Sequence, residues 1–444
     1  MAPDTSFQVI KNYMPKNSEK WLKVIGIGED GWEDLGADAK LLLYESQVVL
    51  GGERHLKMLP NDWKGKRISW TSPMRESVEK ILSFRPDRLK NVKSAISRNK
   101  QKERVSVAVL ASGDPLCYGI ATKLLRHLHI DEVCIKPALS TFSLICSRVG
   151  WSLPDIETFT LHGRPLEMLH SFVQPGAKLG VLSKDSTTPQ KTAKLLANRG
   201  FGKSKITVLE HLGGSKEKKF SGRADSWEHS GGADLNAMAI ECIPLRSTDV
   251  IPRIPGLSDE KFVHDGQLTK CETRAVVLSK LMPIVDQVLW DVGAGCGSVA
   301  IEWMRSHPRC MAVAIEKSKT RLKMIEQNAI NLGVPLLKIV PGTLPDVLGN
   351  LTLPDAIFIG GGLSNFKQKD SISLLDLCWK LLKPGGRLVA HAVTFETEQQ
   401  LFSWHKKNGG DLTRLSISRA DSIGKFNGWN PLRPVTQYSV TKEY

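Results

Sequence analysis

Ten consecutive residues decide the fold of the C-terminal half: Val288-Leu-Trp-Asp291-Val-Gly293-Ala-Gly295-Cys-Gly297. They join a short apolar strand to a run of alternating glycines, and a helix is predicted from Ser298 onward. Glycines in such a loop let the backbone turn sharply and approach a ligand closely. Glu316 lies nineteen residues after Gly297, at the end of the next apolar strand. An acid at that place can accept hydrogen bonds from both hydroxyls of a ribose.

The rhythm of the same half predicts a doubly wound parallel sheet, because apolar strands recur with helix-like stretches between them. The predicted strands are 288–292, 311–315, 337–340, 355–359 and 387–393. The glycine loop has the pattern Asp-x-Gly-x-Gly-x-Gly. A dinucleotide-binding loop lacks the leading acid and usually has the pattern Gly-x-Gly-x-x-Gly. The loop of this chain resembles the S-adenosylmethionine (SAM) site of a class I methyltransferase. A glycine turn in another Rossmann-like fold is the alternative.

The N-terminal half opens with a second glycine loop, Gly26-Ile-Gly28-Glu-Asp-Gly31, which follows the apolar strand from Trp21. The loop matches Gly-x-Gly-x-x-Gly, but acids crowd the place where a pyrophosphate needs a positive helix end. The acids are Glu29, Asp30, Glu33 and Asp34. The match alone is therefore a weak indication of dinucleotide binding.

Alternating strands and helices predict α/β layers in this half as well. The predicted strands are Val105–Leu110, Lys178–Leu182 and Lys205–Leu209, and the predicted helices are 118–129 and 189–199. Two prolines and a glycine in Ile251–Asp259 predict a linker between the halves.

Length and composition predict a multidomain globular protein. The 444 residues are 41% hydrophobic and 24% charged, which suits two or three domains with real cores. No window is apolar enough for a transmembrane helix. Met1–Lys20 lacks the apolar core of a signal peptide and carries Asp4 and Glu19, so we expect a loose tail on a cytosolic protein. The eight cysteines form no Cys-x-x-Cys pair and predict buried thiols, with no metal site.

The net charge of +15 favours anionic partners such as nucleic acid, acidic lipid or a polycarboxylate, and charge alone does not choose among them. Residues 85–104 hold eight basic and two acidic side chains with little apolar periodicity. We expect an exposed insertion there and assign it no role.

The stretch Ala111-Ser-Gly-Asp-Pro115 makes the first half recognisable. Together with Gly26-Ile-Gly28 it resembles the tetrapyrrole (precorrin) methylases, which have the class III SAM-dependent fold. Four further motifs extend the resemblance to the members that methylate carbon 5 in cobalamin synthesis: Gly51–Leu56, Ser140–Phe142, Leu161–Leu166 and Leu209–Gly214. The second half resembles the partner enzyme of the same step through Phe262–Lys270, the glycine loop, Ser298–Met304, Ile357–Gly362 and Pro434–Gln437.

The whole chain from residue 21 thus resembles the fused family of precorrin-6Y C(5,15)-methyltransferases (decarboxylating). The resemblance implies a class III tetrapyrrole methylase of two α/β lobes in 21–250, after a tail in 1–20, and a class I Rossmann-like methyltransferase in 251–444. It implies methylation of precorrin-6B at carbons 5 and 15, loss of carbon dioxide from the carbon-12 acetate, and precorrin-8X as product. A homo-oligomer is also expected, with no nucleic-acid or membrane partner.

The resemblance further implies two SAM sites per chain. In the first half it assigns to the cofactor Gly26, Gly28, Ser112, Gly113, Asp114, Thr141, Leu161 and His162. In the second half it assigns Thr269, Asp291, Gly293, Ala294, Gly295, Cys296, Gly297, Glu316, Thr343 and Leu344. Asp114 before Pro115 is also compatible with a helix N-cap, and the resemblance to the family favours the role in cofactor binding.

Precorrin-6B carries many carboxylates, which arginine and lysine bind well. The candidates for substrate binding are Arg54, Arg164, Lys270, Arg274 and the flexible stretch Gly360, Gly361 and Gly362. Candidate acids for the decarboxylation are His264, Glu302 and His391. His391 stands where the family typically has Asn, so the proton balance there can differ.

Two other functions are compatible with parts of the sequence. A nucleic-acid methyltransferase would carry an Asn/Asp-Pro-Pro-Tyr/Phe motif after the fourth strand of the second half. The chain has Ile359-Gly-Gly-Gly362 there, and this reading leaves Ser112–Pro115 unexplained. A SAM-binding scaffold with one inactive half is disfavoured by the intact Asp114, Glu316 and both glycine loops.

Overall fold

A computed structural model describes residues 20–86, 105–349, 351–363 and 373–444. Most of the predicted tail 1–20 and of the predicted insertion 85–104 lies outside these residues. The chain divides into two compact units. The first unit comprises the chain up to Arg164 together with Gly176–Thr248, and the second comprises Pro165–Pro175 together with Asp249–Tyr444.

The first unit begins with a five-stranded parallel sheet in the order β3-β2-β4-β1-β5. Its elements are β1 (Leu22–Ile27), α1 (Ala37–Tyr44), β2 (Val48–Gly51), α2 (Glu53–Lys57), β3 (Lys66–Ser69), α3 (Met74–Leu82), β4 (Val107–Ser112), α4 (Ile120–Leu124) and β5 (Val133–Lys136). Every residue of β1 is buried, because both faces of the sheet are covered. Leu22 and Val24 pack in one apolar cluster and Ile25 and Ile27 in another, as the alternation of a strand requires.

A second, mixed sheet completes the first unit, in the order β6-β7-β10-β8-β9. Its elements are α5 (Thr141–Val149), β6 (Glu157–Thr160), β7 (Lys178–Leu182), α6 (Thr188–Asn198), β8 (Lys205–Glu210), β9 (Lys218–Arg223) and β10 (Asn236–Glu241). Only β6 and β7 pair in parallel. The predicted two α/β lobes are therefore present. The predicted helix 118–129 is limited to α4, because the chain tightens into short-range turns after Leu124.

The second unit is built on a seven-stranded sheet in the order β13-β12-β11-β14-β15-β19-β16, with β19 antiparallel to both neighbours. Its elements are α7 (Cys271–Leu281), β11 (Val288–Val292), α8 (Ser298–Ser306), β12 (Met311–Glu316), α9 (Lys319–Asn331), β13 (Lys338–Pro341), β14 (Ala356–Ile359), α10 (Leu374–Leu381), β15 (Arg387–Ala392), α11 (Phe395–Asn408), β16 (Asp411–Leu415), a hairpin of β17 (Ser418–Ile423) and β18 (Phe426–Pro431), and β19 (Val435–Thr441). The five predicted strands are confirmed to within two residues, and the fold is that of a class I methyltransferase.

The predicted linker is not free chain. Ile251 and Leu257 are buried, and the Arg305 guanidinium donates from Nη2 to the carbonyls of Ile251 and Pro252 (3.0 Å each). The stretch is thus part of the second unit. The same is true of Pro165–Pro175, where the buried Ser171 hydroxyl donates to the Gly333 carbonyl (3.0 Å).

All eight cysteines are free thiols, and six of them are buried. Among the described residues, no group of three or more His, Cys, Asp or Glu side chains is arranged to hold a metal ion. Within the same ranges no helix is long and apolar enough to cross a membrane.

Candidate active sites

The first site lies where β1 and β4 end side by side. Gly26 is the fifth residue of β1, and a Cβ at that position would sit 2.0 Å from the Gly113 carbonyl oxygen and 2.5 Å from the Ala138 nitrogen. Gly113 has a φ of +54° and donates its N–H to the Ile27 carbonyl (3.0 Å). The two loops therefore touch through backbone alone, which only glycine permits.

These loops open into a cavity of about 460 Å³, which is the size of an ordinary small-molecule site. Six of the predicted residues line it: Gly28, Arg54, Ser112, Gly113, Thr141 and His162. Three predicted side chains do not line the cavity and have other contacts. The Asp114 carboxylate accepts the Leu116 N–H (2.8 Å), the Leu161 side chain is buried, and the Arg164 guanidinium lies over the Tyr118 ring.

The opposite wall of the cavity comes from residues that the sequence analysis did not assign. This wall contains Ser183 and Lys184, which directly follow β7. It also contains Asp234, which precedes β10, and Asn236, which begins it. The Ser183 hydroxyl and the Asn236 side-chain oxygen are buried without a hydrogen-bond partner. Buried polar atoms are normally paired, so both are available to a ligand with polar groups. A nucleoside such as that of SAM fits this donor set and the apolar walls around it.

An ion-pair network stands at the same cavity. The Arg54 guanidinium pairs with the Glu29 carboxylate, and its Nη2 donates to Ser112 Oγ (3.1 Å) and lies 2.9 Å from His55 Nε2. Burial, reinforced by the Arg54 charge, lowers the pKa of His55 to about 4, so its ring is neutral at pH 7. Because arginine only donates, the neutral His55 ring accepts at Nε2. His211 Nδ1 lies 3.1 Å from the other Glu29 oxygen.

The second site is the predicted glycine loop between β11 and α8. Gly293, Gly295 and Gly297 have φ values of +71°, +59° and +80°. A Cβ on Gly293 would lie 2.9 Å from the Gly361 carbonyl oxygen, so the loop packs directly on the stretch after β14. Asp291 heads the loop, and its Oδ2 accepts the Ala300 N–H (3.0 Å).

The other oxygen of Asp291, Oδ1, is buried without a partner. Burial, reinforced by the Glu316 charge against the Ala300 hydrogen bond, raises the pKa of Asp291 to about 7. A cationic ligand would stabilise the ionised form of this buried carboxylate, because a nearby positive charge lowers the pKa of an acid. SAM is such a ligand, and the site therefore suits it.

Glu316 ends β12 beside the glycine loop. Its Oε2 accepts the Gly295 N–H and its Oε1 accepts the Ser318 N–H (2.9 Å each). Each carboxylate oxygen keeps a lone pair for a further donor such as a ribose hydroxyl.

The remaining predicted residues of the second site differ in exposure. Gly360–Gly362 follow β14, and Thr343 is exposed after β13. Ala294, Cys296 and Leu344 are buried among the apolar residues of the core. Thr269 is half-buried, and its carbonyl is held by Arg274.

We expect SAM binding at the second site to weaken as pH falls, because a pKa of about 7 leaves Asp291 mostly protonated at pH 6 and mostly ionised at pH 7.5. Only the ionised form attracts a cation. The ratio of wild-type to Asp291→Asn affinities should rise roughly eightfold between these pH values. Calorimetric SAM titrations measure it, and the ratio cancels titration of SAM itself. A ratio independent of pH would contradict this role.

Two predictions of site residues are corrected by the structure. Arg274 is fully buried, its Nε donates to Glu302 Oε1 (2.6 Å), and its other nitrogens reach Asp259 and the carbonyls of Thr269 and Leu257. Glu302 is buried as well and accepts the N–H groups of Gly256 (2.7 Å) and Leu257 (3.0 Å). The Arg274–Glu302 pair thus holds the segment around Gly256 and Leu257, which precedes α7, against α8 by hydrogen bonds. Arg274 is not placed to bind substrate, nor Glu302 to act as an acid.

Replacing Arg274 by Ala should lower the free energy of unfolding of the second unit by about 3–5 kcal/mol, because it leaves the Glu302 carboxylate buried and unpaired. Urea unfolding measures the change. Arg309→Ala is the matched control, since the Arg309–Asp286 pair (3.5 Å) is exposed, and its effect should stay below about 0.5 kcal/mol. Equal effects for both variants would contradict the assignment.

The two predicted histidines differ in environment. His391 lies on β15, its Nε2 is 3.0 Å from Gln437 Oε1, and its ring meets Phe358 edge-on. Burial lowers the pKa of His391 to about 4, so its ring is neutral at pH 7, which disfavours the predicted role as an acid. His264 is half-buried and accepts the Gly266 N–H at Nδ1 (2.9 Å), and it stays a candidate. Lys270 precedes α7 and is half-buried.

The first unit thus has the arrangement of a tetrapyrrole methylase, and the second that of a class I methyltransferase with an acid-headed glycine loop. Comparison with known proteins agrees. The family of tetrapyrrole (corrin/porphyrin) methylases matches residues 22–227, and the family of precorrin methyltransferase domains matches residues 260–442.

One relative, from Sinorhizobium sp, is 41% identical over 98% of this chain and 99% of its own length, and its name is precorrin-6Y C(5,15)-methyltransferase [decarboxylating]. Two Salmonella typhimurium proteins are similar to less than half of this chain. They are a cobalt-precorrin-7 C(5)-methyltransferase (28% identity, 44% of this chain, 88% of its own) and a cobalt-precorrin-6B C(15)-methyltransferase (decarboxylating) (31%, 42% and 96%). The chain belongs to the precorrin-6Y C(5,15)-methyltransferase (decarboxylating) family, whose methyl donor is SAM.

Proposed function

We propose that this chain methylates precorrin-6B at carbons 5 and 15 and releases the carboxyl group of the carbon-12 acetate as carbon dioxide, giving precorrin-8X in cobalamin biosynthesis. The observation that carries this proposal is the 41% identity to the Sinorhizobium protein, which extends over 98% of the chain and hence over both units. The two separate glycine-loop sites support two methyl transfers per chain, with one SAM site in each unit.

The two reactions are divided between the units. We assign methylation of carbon 5 to the first unit and methylation of carbon 15 with decarboxylation to the second. The names of the Salmonella proteins attach the C(15) reaction to a precorrin-6B and the C(5) reaction to a precorrin-7. By analogy, the second unit acts first and its product becomes the substrate of the first unit.

The residues of each site bind and align rather than activate. Bound SAM supplies an electrophilic methyl group, and the meso carbon of a reduced tetrapyrrole is already nucleophilic, because the pyrrole nitrogens push electron density onto it. The gain in rate then comes from holding the two in line and excluding water. In the first unit Gly26 and Gly113 bring two loops into contact, and in the second Asp291 and Glu316 fix the ligand.

When the carbon-12 acetate loses carbon dioxide, the electron pair of the broken C–C bond passes into the macrocycle. One proton then adds to the methylene carbon and gives a methyl group, so a nearby proton donor assists. His264 is the remaining candidate for that donor. The neutral His391, next to Gln437, would hold the substrate by a hydrogen bond. The candidates for binding the substrate carboxylates are Arg54 in the cavity of the first unit and Lys270 in the second unit. Arg164, which lies over the Tyr118 ring outside the cavity lining, stays a further candidate of the first unit. We also propose a cytosolic location and a homo-oligomer, without nucleic-acid or membrane partners.

SAM stoichiometry and a time course test the proposal. Calorimetry of the purified chain should give two SAM sites, and one site would contradict it. In the time course, precorrin-6B with SAM should first give a species with one added methyl and one carbon dioxide lost, and then a species with two added methyls. A dimethylated species that keeps all its carboxyl groups would overturn the assigned decarboxylation.

A further inference from the structure

Arg54 lines the cavity of the first unit as a candidate for binding a substrate carboxylate, yet its guanidinium already has partners. One terminal nitrogen pairs with the Glu29 carboxylate. The other donates to Ser112 Oγ (3.1 Å) and lies 2.9 Å from His55 Nε2. An incoming carboxylate therefore finds a partner on each terminal nitrogen, and a bidentate contact with the guanidinium requires Glu29 to give way. It also meets the negative charge of Glu29, which lines the same cavity.

Exposure differs between the two partners. The Arg54 side chain is 39% exposed, whereas that of Glu29 is only 15% exposed. A ligand that enters from solvent thus reaches Arg54 while Glu29 stays largely covered. The pair can be opened from the arginine side without exposing the glutamate.

The Glu29 carboxylate has a second partner, which can stay bound to it when Arg54 is released. His211 Nδ1 lies 3.1 Å from Glu29 Oε2, on the oxygen that Arg54 does not use. The Glu29 Cβ lies directly against Gly214, where a Cβ would be only 2.7 Å from it, so glycine at residue 214 leaves the room that the Glu29 side chain occupies. His211 itself has a φ of +46°, which a non-glycine residue adopts rarely.

We propose that Glu29 is a resident carboxylate that occupies Arg54 in the substrate-free enzyme and is replaced there by a carboxylate of the tetrapyrrole, while it remains paired with His211. The inference rests on the function proposed for the first unit. It makes Glu29 and His211 specificity-determining residues. A carboxylate tethered next to Arg54 has a high effective concentration, so free small acids do not displace it. A tetrapyrrole does, because its other contacts hold its carboxylate at the same place.

The test is a binding titration with precorrin-7, made enzymatically from precorrin-6B, with S-adenosylhomocysteine present to prevent turnover. Glu29→Gln keeps the shape of the side chain and removes the competing charge, and it should lower Kd about fivefold. Arg54→Gln should raise Kd about tenfold or more. In the double variant E29Q/R54Q the gain should vanish, so that its Kd equals that of R54Q.

Two controls separate exchange from a general effect of charge. Lys184 lines the same cavity, and among the described residues its ammonium group has no ion-pair partner. The gain from E29Q should therefore persist in the K184Q background. Glu132→Gln removes the carboxylate of the Arg85–Glu132 pair (2.9 Å), neither member of which lines the cavity, and should leave Kd unchanged.

His211→Gln is the second variant. It removes the partner that receives Glu29, and it should raise Kd in the wild type but not in the E29Q background. A Kd for E29Q that rises as it does for R54Q would show that Glu29 only positions Arg54 and would overturn the exchange. A fall in Kd when E29Q is added to the R54Q background would also overturn the exchange. If the wild-type chain itself does not bind precorrin-7, the proposed function of the first unit fails, and the exchange fails with it.

Discussion

Gly26→Val should stop the reaction after its first half. The product from precorrin-6B and SAM should carry one new methyl group and lack one carbon dioxide, with methylation of carbon 5 reduced at least about 100-fold, because misplacement of reacting groups by an ångström costs that much. The physical reason is steric. A Cβ at residue 26 would lie 2.0 Å from the Gly113 carbonyl oxygen and 2.5 Å from the Ala138 nitrogen, so the two loops of the first site must separate.

Gly28→Ala is the matched control for this variant. It adds one methyl group two residues away in the same loop, at a position with nothing within 4 Å of a Cβ. It should keep the two loops in contact, so any loss of carbon-5 methylation should come only from the methyl group added to the cavity and should be far smaller than the loss in Gly26→Val. Product masses from both variants measure the difference. A fully dimethylated product from Gly26→Val at the wild-type rate would contradict the placement of the carbon-5 site.

Gly293→Val should abolish turnover of precorrin-6B altogether. Residue 293 has a φ of +71°, which disfavours any side chain, and its Cβ would lie within 3.0 Å of three backbone atoms of Gly361. The glycine loop would shift from its ligand, with a loss of at least about 100-fold in methylation of carbon 15. Because the first unit is proposed to act on the product of the second, carbon 5 should stay unmethylated too.

Complementation is the control for both glycine variants. Gly293→Val should still methylate precorrin-7 that Gly26→Val has made, so a mixture of the two variants should give the complete product. That result would show that each variant retains one folded and active unit. A carbon-5 methylated product from Gly293→Val and precorrin-6B alone would contradict the assigned order.

The strands and glycine loops could be predicted because their signals are local. An apolar run that ends in glycines marks β11 and its loop, and the same is true of β1 and β4. The antiparallel strand β19 had no such signal, since Pro434–Gln437 stood out only as a motif. Its place between β15 and β16 depends on pairing with segments far apart in the sequence.

The roles of charged side chains were harder to predict than the fold. Arg274 and Glu302 have residue types that suit chemistry, but their burial depends on how Ile251–Asp259 folds back onto α7 and α8. The second wall of the first cavity has the same origin. Ser183 directly follows β7 and Asn236 begins β10, two strands that are neighbours only in the folded sheet, and no local pattern marks either residue. Only Leu209–Gly214, which contains His211, was visible in advance as a motif.

The mass of the product that the wild-type chain makes from precorrin-6B and an excess of SAM tests the proposed function of both units at once. We predict a gain of two methyl groups and the loss of one carbon dioxide, from a single purified protein. Unchanged precorrin-6B, in a sample whose SAM binding is intact, would contradict the central claim that this one chain performs both methylations and the decarboxylation.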